Sequence, residues 1–296
     1  MKEKIYVIFT MDCERIKKFS PPGGPETWKL SERAIEGFAE VISAKNLVAT
    51  FFIVPETAHR HRDLFLALKR EGFELGMHLH PQSLGDLRYK DYLGGYSLEK
   101  QIEILKEATN IWAEALGETP KSFRPGNFSA NDSTFKALYT VGFRQGSVSA
   151  PEREMPEFKA VWRGTYPYAH HVHPDFRLIP GELDFYEVPI TVDWDRRTWQ
   201  GKSAMELRVE MGGSKDHFST IKKRILDMKG KKIPVKTLVA ITHNYFDYKS
   251  KRERQRKTLE KMTNYLWRCA DELNFQLCPI TLSHLHQIVD EEERGE

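Results

Sequence analysis

Short apolar runs alternate with amphipathic stretches along almost the whole chain, and this alternation limits the folds that the chain can adopt. The first run, residues 5–11, is apolar on both faces, as expected for a strand inside a parallel sheet that is covered on both sides. A stretch with helical spacing of apolar residues follows, and the order repeats up to a last apolar run near Phe275. Such alternation predicts βαβ units, with parallel strands inside and helices outside. Seven or eight strands favour a closed or nearly closed barrel, with a doubly wound open sheet as the alternative.

The composition is that of an ordinary globular protein. The chain has 296 residues, of which 40% are hydrophobic and 29% charged, so it can bury a sizeable core. We find no linker and expect a single domain over residues 1–296. A net charge of +3 gives no sign of a nucleic-acid-binding surface. No run approaches the ~20 apolar residues of a transmembrane helix.

Cysteine usage and the first residues predict a cytoplasmic location. The three cysteines, Cys13, Cys269 and Cys278, form an odd and sparse set, which argues against a disulfide framework and for a reducing compartment. The apolar run after Met-Lys-Glu-Lys is too short and too early for a secretory signal. Nothing in the sequence predicts the oligomeric state.

Two histidines with one residue between them, His78 and His80, lie at the end of an apolar run that Pro81 terminates. Side chains two apart on a strand point the same way, so both imidazoles can face one divalent ion. In a parallel barrel the carboxyl ends of all strands meet at one rim, where active sites lie. Other apolar runs also end in polar residues, namely Asp12, Glu14, Arg124, Asp193, Asp195 and His243. Their common placement predicts a metal-dependent site.

Five of these strand ends carry short motifs in a recognisable order. The motifs are Thr10-Met11-Asp12-Cys13-Glu14, His78-Leu79-His80, Arg124-Pro125-Gly126, Val192-Asp193 and Ile241-Thr242-His243. Over roughly residues 5–247 the chain therefore resembles the polysaccharide deacetylases, the NodB-homology group or carbohydrate esterase family 4. The resemblance implies a distorted, NodB-like (β/α)7–8 barrel with parallel strands inside and helices outside.

Three motifs depart from the family pattern. The family has two adjacent aspartates in the first motif, a base followed by a metal ligand, whereas Cys13 takes the second place here. Glu14 shares a strand face with Asp12 and is the ligand that we favour, with a Cys13 thiolate as the alternative. The family also spaces its two histidines four apart rather than two. Its third motif ends in Pro and Tyr, where this chain has Gly126 and Asn127.

The resemblance implies a divalent metal ion bound by Glu14, His78 and His80. Zn²⁺ is the default for imidazole with carboxylate, and Ni²⁺, Co²⁺ or Fe²⁺ also fit. A second metal site is a weaker hypothesis for the long segment of residues 150–184, which carries His170, His171 and His173.

Acid–base roles follow from the same resemblance. Asp12 would take a proton from the attacking water, and Arg124 would hold the Asp12 carboxylate. His243 would protonate the leaving amine, and Asp193 or Asp195 would hold the His243 imidazole.

Substrate contacts are expected at a turn and in a loop. The backbone N–H near Gly126 would stabilise the oxyanion, and Asn127 would contact the substrate. Residues 150–184 form a long rim loop, in which Trp162 and Tyr168 would stack on sugar rings. An aromatic loop that is merely anchored to the barrel is the alternative.

These assignments predict a metal-dependent hydrolase that acts on carbon–nitrogen bonds other than peptide bonds. We expect it to deacetylate N-acetylated sugars in poly- or oligosaccharides or on a lipid-linked sugar. A deformylase or another small-amide hydrolase on the same fold is one alternative. A non-catalytic carbohydrate-binding protein is another, because the first and third motifs are altered.

Overall fold

The computed structural model describes residues 2–85 and 87–295, and its central feature is a curled, mostly parallel sheet. The strands are β1 (Glu3–Cys13), β2 (Ala49–Ile53), β3 (Glu74–Leu79), β4 (Ser122–Pro125), β5 (Gln145–Gly146), β6 (Glu154–Met155), β7 (Ala160–Val161), β8 (His170–His171), β9 (Tyr186–Glu187), β10 (Val192–Thr198), β11 (Ser203–Glu206), β12 (Thr237–His243) and β13 (Phe275–Pro279). The α-helices are α1 (Trp28–Ser43), α2 (Pro55–Arg60), α3 (Arg62–Arg70), α4 (Leu98–Leu116), α5 (Thr134–Val141), α6 (Ser214–Gly230), α7 (Arg254–Glu272) and α8 (Leu282–Arg294).

Strand β1 has three hydrogen-bonded neighbours in the sheet, namely β12, β2 and β13. The strand order is β12-β1-β2-β3-β4-β5-β9-β8, and every neighbouring pair is parallel except β9 with β8. β1 pairs with β12 along one edge, while β13 and β2 share its other edge. Residues 5–13 of β1 are all buried, which explains why this run is apolar on both faces.

Irregular backbone bridges the gap between β9 and β12. The Thr191 N–H donates to the Val239 carbonyl (3.2 Å), and the Leu207 N–H donates to the Thr191 carbonyl (2.7 Å). The Ile241 N–H in turn donates to the Leu207 carbonyl (3.0 Å). The sheet therefore curls into a half-barrel with helices around it, which confirms the distorted barrel expected from the alternation of apolar runs.

The helices cover the outside of the sheet with their apolar faces. In α1, for example, Ile35, Phe38 and Ile42 are fully buried, and the side chain of Thr27 caps the helix by accepting from the Leu30 N–H. Among residues 2–85 and 87–295, no helix combines the length and the apolar character that crossing a membrane requires.

The predicted rim loop of residues 150–184 contains short strands. β6 pairs with β7 as a separate two-stranded ladder, and β8 pairs with β9 at the edge of the main sheet. β10 and β11 form another separate antiparallel pair. These small ladders lie outside the parallel core, so their residues do not follow the rim geometry that the sequence pattern assumes.

Candidate active site

The ends of β1 and β3 bring one carboxylate and two imidazoles together. Glu14 directly follows β1, His78 lies in β3, and His80 comes just after it. Glu14 Oε1 lies 3.1 Å from His78 Nε2 and 2.9 Å from His80 Nε2. All three residues are buried, and one ligand atom of each lies within 4.8 Å of the others. We call Glu14, His78 and His80 the rim cluster.

Cys13 lies outside the rim cluster. It is fully buried in the hydrophobic core, and its Sγ faces the Met11 carbonyl at 3.9 Å. Because adjacent residues of a strand point to opposite faces, Glu14 and Cys13 cannot both face the histidines. The geometry therefore favours the Glu14 carboxylate over the Cys13 thiol as the candidate metal ligand that follows Asp12.

The hydrogen bonds of the rim cluster fit a bound divalent cation. His78 Nδ1 lies 2.9 Å from the Arg124 carbonyl, which can only accept, so Nδ1 carries the proton of a neutral ring. His78 Nε2 then presents a lone pair to Glu14 Oε1, and two facing acceptors require a cation or a proton. Glu14 Oε2 is buried without a hydrogen-bond partner in the described part of the chain. Metal-binding histidines commonly donate their second ring N–H to a carbonyl, as His78 does.

Asn244 fixes the backbone of Glu14 from the neighbouring strand. The Glu14 N–H donates to Asn244 Oδ1 (2.9 Å), and Asn244 Nδ2 donates to the Glu14 carbonyl (3.0 Å). Asn244 Nδ2 also donates to Ser31 Oγ in α1 (2.8 Å). The carboxylate of the rim cluster is thus positioned by the ends of both β1 and β12, a role for Asn244 that the motifs did not indicate.

Asp12 is an ionised carboxylate between the rim cluster and His243. Arg124 is fully buried, and its Nη1 donates to Asp12 Oδ1 (2.7 Å) and to Thr10 Oγ1 (2.8 Å). Burial raises the pKa of Asp12, but Arg124, followed by His78 and His243, outweighs it and lowers that pKa overall. The other carboxylate oxygen, Asp12 Oδ2, lies 4.0 Å from His78 Nε2 and 3.9 Å from His243 Nε2.

Glu210 holds the His243 imidazole. His243 pairs with Asp12 across the β1–β12 register, and its Nδ1 donates to Glu210 Oε1. Thr242 Oγ1 donates to the second oxygen of Glu210 (3.0 Å). The ring of Tyr245 stacks on the His243 ring with centroids 4.9 Å apart. His243 Nε2 is therefore directed towards Asp12, while Nδ1 is fixed by a carboxylate.

The predicted contact of Asp193 or Asp195 with His243 is wrong. Asp193 is fully buried and pairs with Lys223 Nζ (3.4 Å) and Arg196 Nε (3.8 Å). Asp195 also pairs with Lys223, at 2.9 Å. In the described residues no hydrogen bond or ion pair joins either aspartate to His243. The physical reason is that β10, which carries both aspartates, pairs with β11 in a separate sheet.

The rim cluster, Asp12 and His243 line one cavity of about 500 Å³. Aromatic and cationic side chains complete much of its wall: Phe158, Trp199, Tyr245, Arg153, Lys202 and Arg208. This volume lies within the range of small-molecule sites. The cavity thus brings together a candidate metal centre, a carboxylate and an imidazole.

The turn of residues 126–128 forms another part of the wall. Asn127 lines the cavity in a left-handed conformation (φ 54°), and its carbonyl accepts from Arg153 Nη1 (2.9 Å). A Cβ on Gly126 would lie 2.2 Å from His80 Nδ1, so only glycine leaves room for this ring. Gly126 therefore lies beside the rim cluster and Asn127 lies in the cavity wall, while their contact with substrate stays a prediction.

Comparison with known proteins agrees with this arrangement. Residues 24–146 match the family model described as polysaccharide deacetylase, and no curated protein matches the chain. The predicted resemblance is therefore confirmed, and this is a family of hydrolases that act on carbon–nitrogen bonds other than peptide bonds.

Solved structures extend the likeness in fold beyond the polysaccharide deacetylase segment. A candidate polysaccharide deacetylase of Mycobacterium smegmatis is similar with a TM-score of 0.64 at 17% identity, over 99% of this chain and 92% of that one. A probable polysaccharide deacetylase of Pseudomonas aeruginosa PAO1 has a TM-score of 0.59 at 14% identity, over 96% and 90%. The PuuE allantoinase has a TM-score of 0.59 at 15% identity, over 96% and 89%. At these identities the likeness concerns the fold.

Two aromatic residues assigned to the substrate lie elsewhere in this polysaccharide deacetylase fold. Trp162 is fully buried and its Nε1 donates to the Phe128 carbonyl (2.7 Å). The Tyr168 hydroxyl donates to Asp227 Oδ2 (2.6 Å) and accepts from Lys231 Nζ (3.0 Å). Neither lines the cavity, so the prediction that they bind substrate there is wrong. Trp162 and Tyr168 instead anchor this segment to the turn of residues 126–128 and to α6.

The three histidines of residues 150–184 do not converge on one point. His170 Nδ1 donates to the Tyr168 carbonyl (2.7 Å), and His173 Nδ1 accepts from the Asp175 N–H (3.1 Å). In the described chain the residues that approach His171 as ligands come from α8 instead. The structure therefore does not bring His170, His171 and His173 together as a second metal site.

A run of alternating charges, missed in the sequence, supplies the remaining polar side chains of the site. Glu206, Arg208 and Glu210 are two residues apart, and Arg208 forms ion pairs with both glutamates, at 2.7 Å and 3.7 Å. Arg208 Nε donates to Glu206 Oε2 (2.7 Å), and Arg153 donates to Glu206 Oε1. The alternation Glu-Leu-Arg-Val-Glu was a usable signal, because it alternates three charges with two apolar residues, Leu207 and Val209, that are buried.

Proposed function

We propose that this protein is a metal-dependent amide hydrolase that removes acetyl groups from N-acetylated sugars. The observation that supports the proposal best is the rim cluster lying beside Asp12 and His243 in a single cavity. The match of residues 24–146 to the polysaccharide deacetylase model supports the deacetylase class. Glu14, His78 and His80 would hold the ion, for which Zn²⁺ is the default.

Asp12 is placed to act as the base towards an attacking water, beside the residues that would hold the metal. A bound divalent ion supplies Lewis acidity, which polarises the amide carbonyl and makes water more acidic. Asp12 is kept ionised by Arg124, so its free Oδ2 can accept the proton of an attacking water. Since Arg124 binds only Oδ1, the base retains one oxygen directed towards the rim cluster.

His243 is the group placed to protonate the leaving amine. The His243 Nδ1–H donates to Glu210 Oε1, which fixes the orientation of the ring. Nε2 is then free to carry a proton into the cavity, 3.9 Å from Asp12 Oδ2. Base and acid therefore sit on neighbouring parallel strands, with the reacting amide expected between them.

The wall of the cavity suits a sugar ring. Phe158, Trp199 and Tyr245 offer aromatic surfaces, against which the apolar face of a pyranose can pack. Arg153, Lys202 and Arg208 offer hydrogen-bond donors for hydroxyl and carbonyl oxygens. The volume of about 500 Å³ favours one or two sugar units over a longer segment inside the cavity.

A small cyclic amide or a formylated amino sugar is a second candidate substrate. The fold likeness to an allantoinase and the limited cavity volume favour a small amide over a long polysaccharide. The chemistry assigned to Asp12 and His243 would be the same, because only the group bonded to the amide changes.

The test is hydrolysis of a substrate panel by protein stripped of metal and reloaded with Zn²⁺, Ni²⁺, Co²⁺ or Fe²⁺. Acetate release is measured from N-acetylglucosamine and from short acetylated chito-oligosaccharides, formate from N-formyl amino sugars, and ring opening from allantoin. Acetate release that depends on the metal and is lost in Asp12→Asn, but kept in the exposed control Asp63→Asn, supports the deacetylase. Sugar binding without turnover of any substrate by any metal form would instead identify a binding protein.

A further inference from the structure

A second group of two histidines and a carboxylate lies away from the active-site cavity. His171 comes from β8, and His286 and Asp290 come from α8. One ligand atom of each lies within 4.8 Å of the others, and none of the three residues lines the cavity. We call His171, His286 and Asp290 the edge cluster, because β8 is the last strand at one edge of the sheet.

A row of hydrogen bonds fixes which nitrogen of His286 carries a proton. Ser122 Oγ donates its only proton to the Glu74 carboxylate, so it accepts from Gln145 Nε2 (2.8 Å). The amide oxygen of Gln145 must then face His286 Nδ1, which lies 3.2 Å away. Because this oxygen can only accept, His286 Nδ1 is the protonated nitrogen, and His286 Nε2 carries a lone pair in the neutral ring.

His171 is held in the same protonation state by the backbone. Its Nδ1 lies 3.3 Å from the Leu183 carbonyl, which can only accept. His171 Nε2 therefore also carries a lone pair. In both rings the second nitrogen donates to an oxygen, as metal-binding histidines commonly do.

Both Nε2 atoms are buried and lack a hydrogen-bond donor within residues 2–85 and 87–295. His286, only 5% exposed, places Nε2 3.3 Å from Asp290 Oδ1 and 4.0 Å from Asp184 Oδ1. His171 places Nε2 3.6 Å from Glu293 Oε2. The lone pairs of the two Nε2 atoms thus face carboxylate oxygens, with no hydrogen between them. A single proton relieves only one of these contacts, whereas one metal ion accepts all of them.

We propose that the edge cluster is a second metal site, of a structural kind, for Zn²⁺ or a similar transition-metal ion. Two imidazoles and a carboxylate are a ligand set for such ions, and Glu293 is in reach as a fourth ligand. His286, Asp290 and Glu293 follow a spacing of four and three, so they share one face of α8. The ion would tie the last helix to a two-residue edge strand that has a partner on one side only in the main sheet.

The first test counts bound metal. Zn²⁺ is measured by mass spectrometry after dialysis of the full-length protein, and Co²⁺ binding is followed by its visible absorption. We expect Asp290→Asn and His171→Ala each to bind one equivalent less than the wild type. His284→Ala, an exposed histidine on the same helix, should bind as many equivalents as the wild type. Equal stoichiometry in the wild type, Asp290→Asn and His171→Ala would overturn the proposal.

A second measurement separates a structural site from metal bound loosely at the surface. Added Zn²⁺ should raise the melting temperature of Glu14→Gln, in which the rim cluster is disabled, and this rise should disappear in Glu14→Gln/His171→Ala. Since both variants lack a rim ligand, the result does not depend on catalytic activity or on the proposed substrate. An identical rise in the two variants would contradict a role for His171.

Discussion

The rim cluster and the edge cluster each combine two imidazoles with one carboxylate, but they have different surroundings. The rim cluster stands at the ends of β1 and β3, which have partners on both sides, and its members are almost completely buried. The edge cluster joins an edge strand to a terminal helix, and the Asp290 side chain is 39% exposed. Asp12 and His243 lie beside the rim cluster alone, so we expect these neighbouring groups, rather than the ligand set, to distinguish a catalytic metal site from a structural one.

Replacing the carboxylate of each cluster gives the largest contrast. Glu14→Gln should lower kcat/KM about 1,000-fold or more, because a catalytic metal contributes several kcal/mol and each 1.4 kcal/mol is tenfold. Asp290→Asn should leave kcat/KM unchanged while removing one metal equivalent. Steady-state kinetics with parallel metal analysis measures both. A comparable loss of activity in the two variants would remove the distinction between the clusters.

The partner of His243 provides the next contrast. Glu210→Gln should lower kcat about 100-fold with metal content unchanged, because the carboxylate that fixes Nδ1 is lost, and general acids contribute about 100-fold or more. Asp193→Asn should leave kcat unchanged, since Asp193 pairs with Lys223 and Arg196. Kinetics of the two variants decide the point. A larger effect of Asp193→Asn would restore the assignment made from sequence.

Gly126→Ala tests how closely the rim cluster is packed. The added Cβ would lie 2.2 Å from His80 Nδ1, so the ring must move. We expect metal affinity at the rim cluster to fall roughly 10- to 100-fold, the usual cost of disturbing a ligand through its neighbours. Metal competition titrations measure this loss, and Zn²⁺ bound by the edge cluster should be unaffected. Unchanged affinity at both clusters would show that His80 is not a ligand.

Glu187, in β9 between the two clusters, should affect the stability of the fold rather than activity or metal binding. Burial raises the pKa of Glu187 to about 7, despite hydrogen bonds from Ser149 and from the Val148 N–H. The folded state then binds a proton more tightly than the unfolded state, whose pKa is near 4.5. The free energy of unfolding is therefore higher at low pH and falls by up to about 3 kcal/mol as pH rises from 4.5 to 7.

Urea unfolding at several pH values measures this dependence. Glu187→Gln removes the ionisable group, so its stability should change less between pH 5 and pH 8 than that of the wild type. Glu182→Gln, an exposed glutamate nearby, should behave like the wild type. The same pH profile in Glu187→Gln and the wild type would show that another group titrates.

The parallel core was accessible from sequence because strand geometry is local. Alternation of side chains on a strand placed His78 with His80, and Asp12 with Glu14, and it separated Cys13 from Glu14. The common rim of a parallel barrel then brought these strand ends together. Arg124 and His243 follow from the same rule, since each ends a strand of this sheet.

The segments outside the parallel core were less accessible because their partners are distant in sequence. Asp193 ends an apolar run like the others, but its strand pairs with β11 rather than with the rim strands. Trp162 and Tyr168 have the composition of a sugar-binding loop, and only tertiary packing shows that they face Phe128 and Asp227. Glu210 and Asn244 act through bonds to His243 and Glu14 that no spacing rule predicts.

The row of hydrogen bonds from Glu74 to His286 has a consequence for shortened forms of the protein. Glu74 and Ser122 begin the strands whose other ends carry His78 and Arg124, and the Glu74 carboxylate also accepts from the Ser283 N–H (3.2 Å). A chain truncated before Leu282 would lose Ser283, which donates to the Glu74 carboxylate, and His286, which donates to Gln145. Removal of the last fifteen residues would therefore loosen the N-terminal ends of β3 and β4, although no residue that lines the active-site cavity had been deleted.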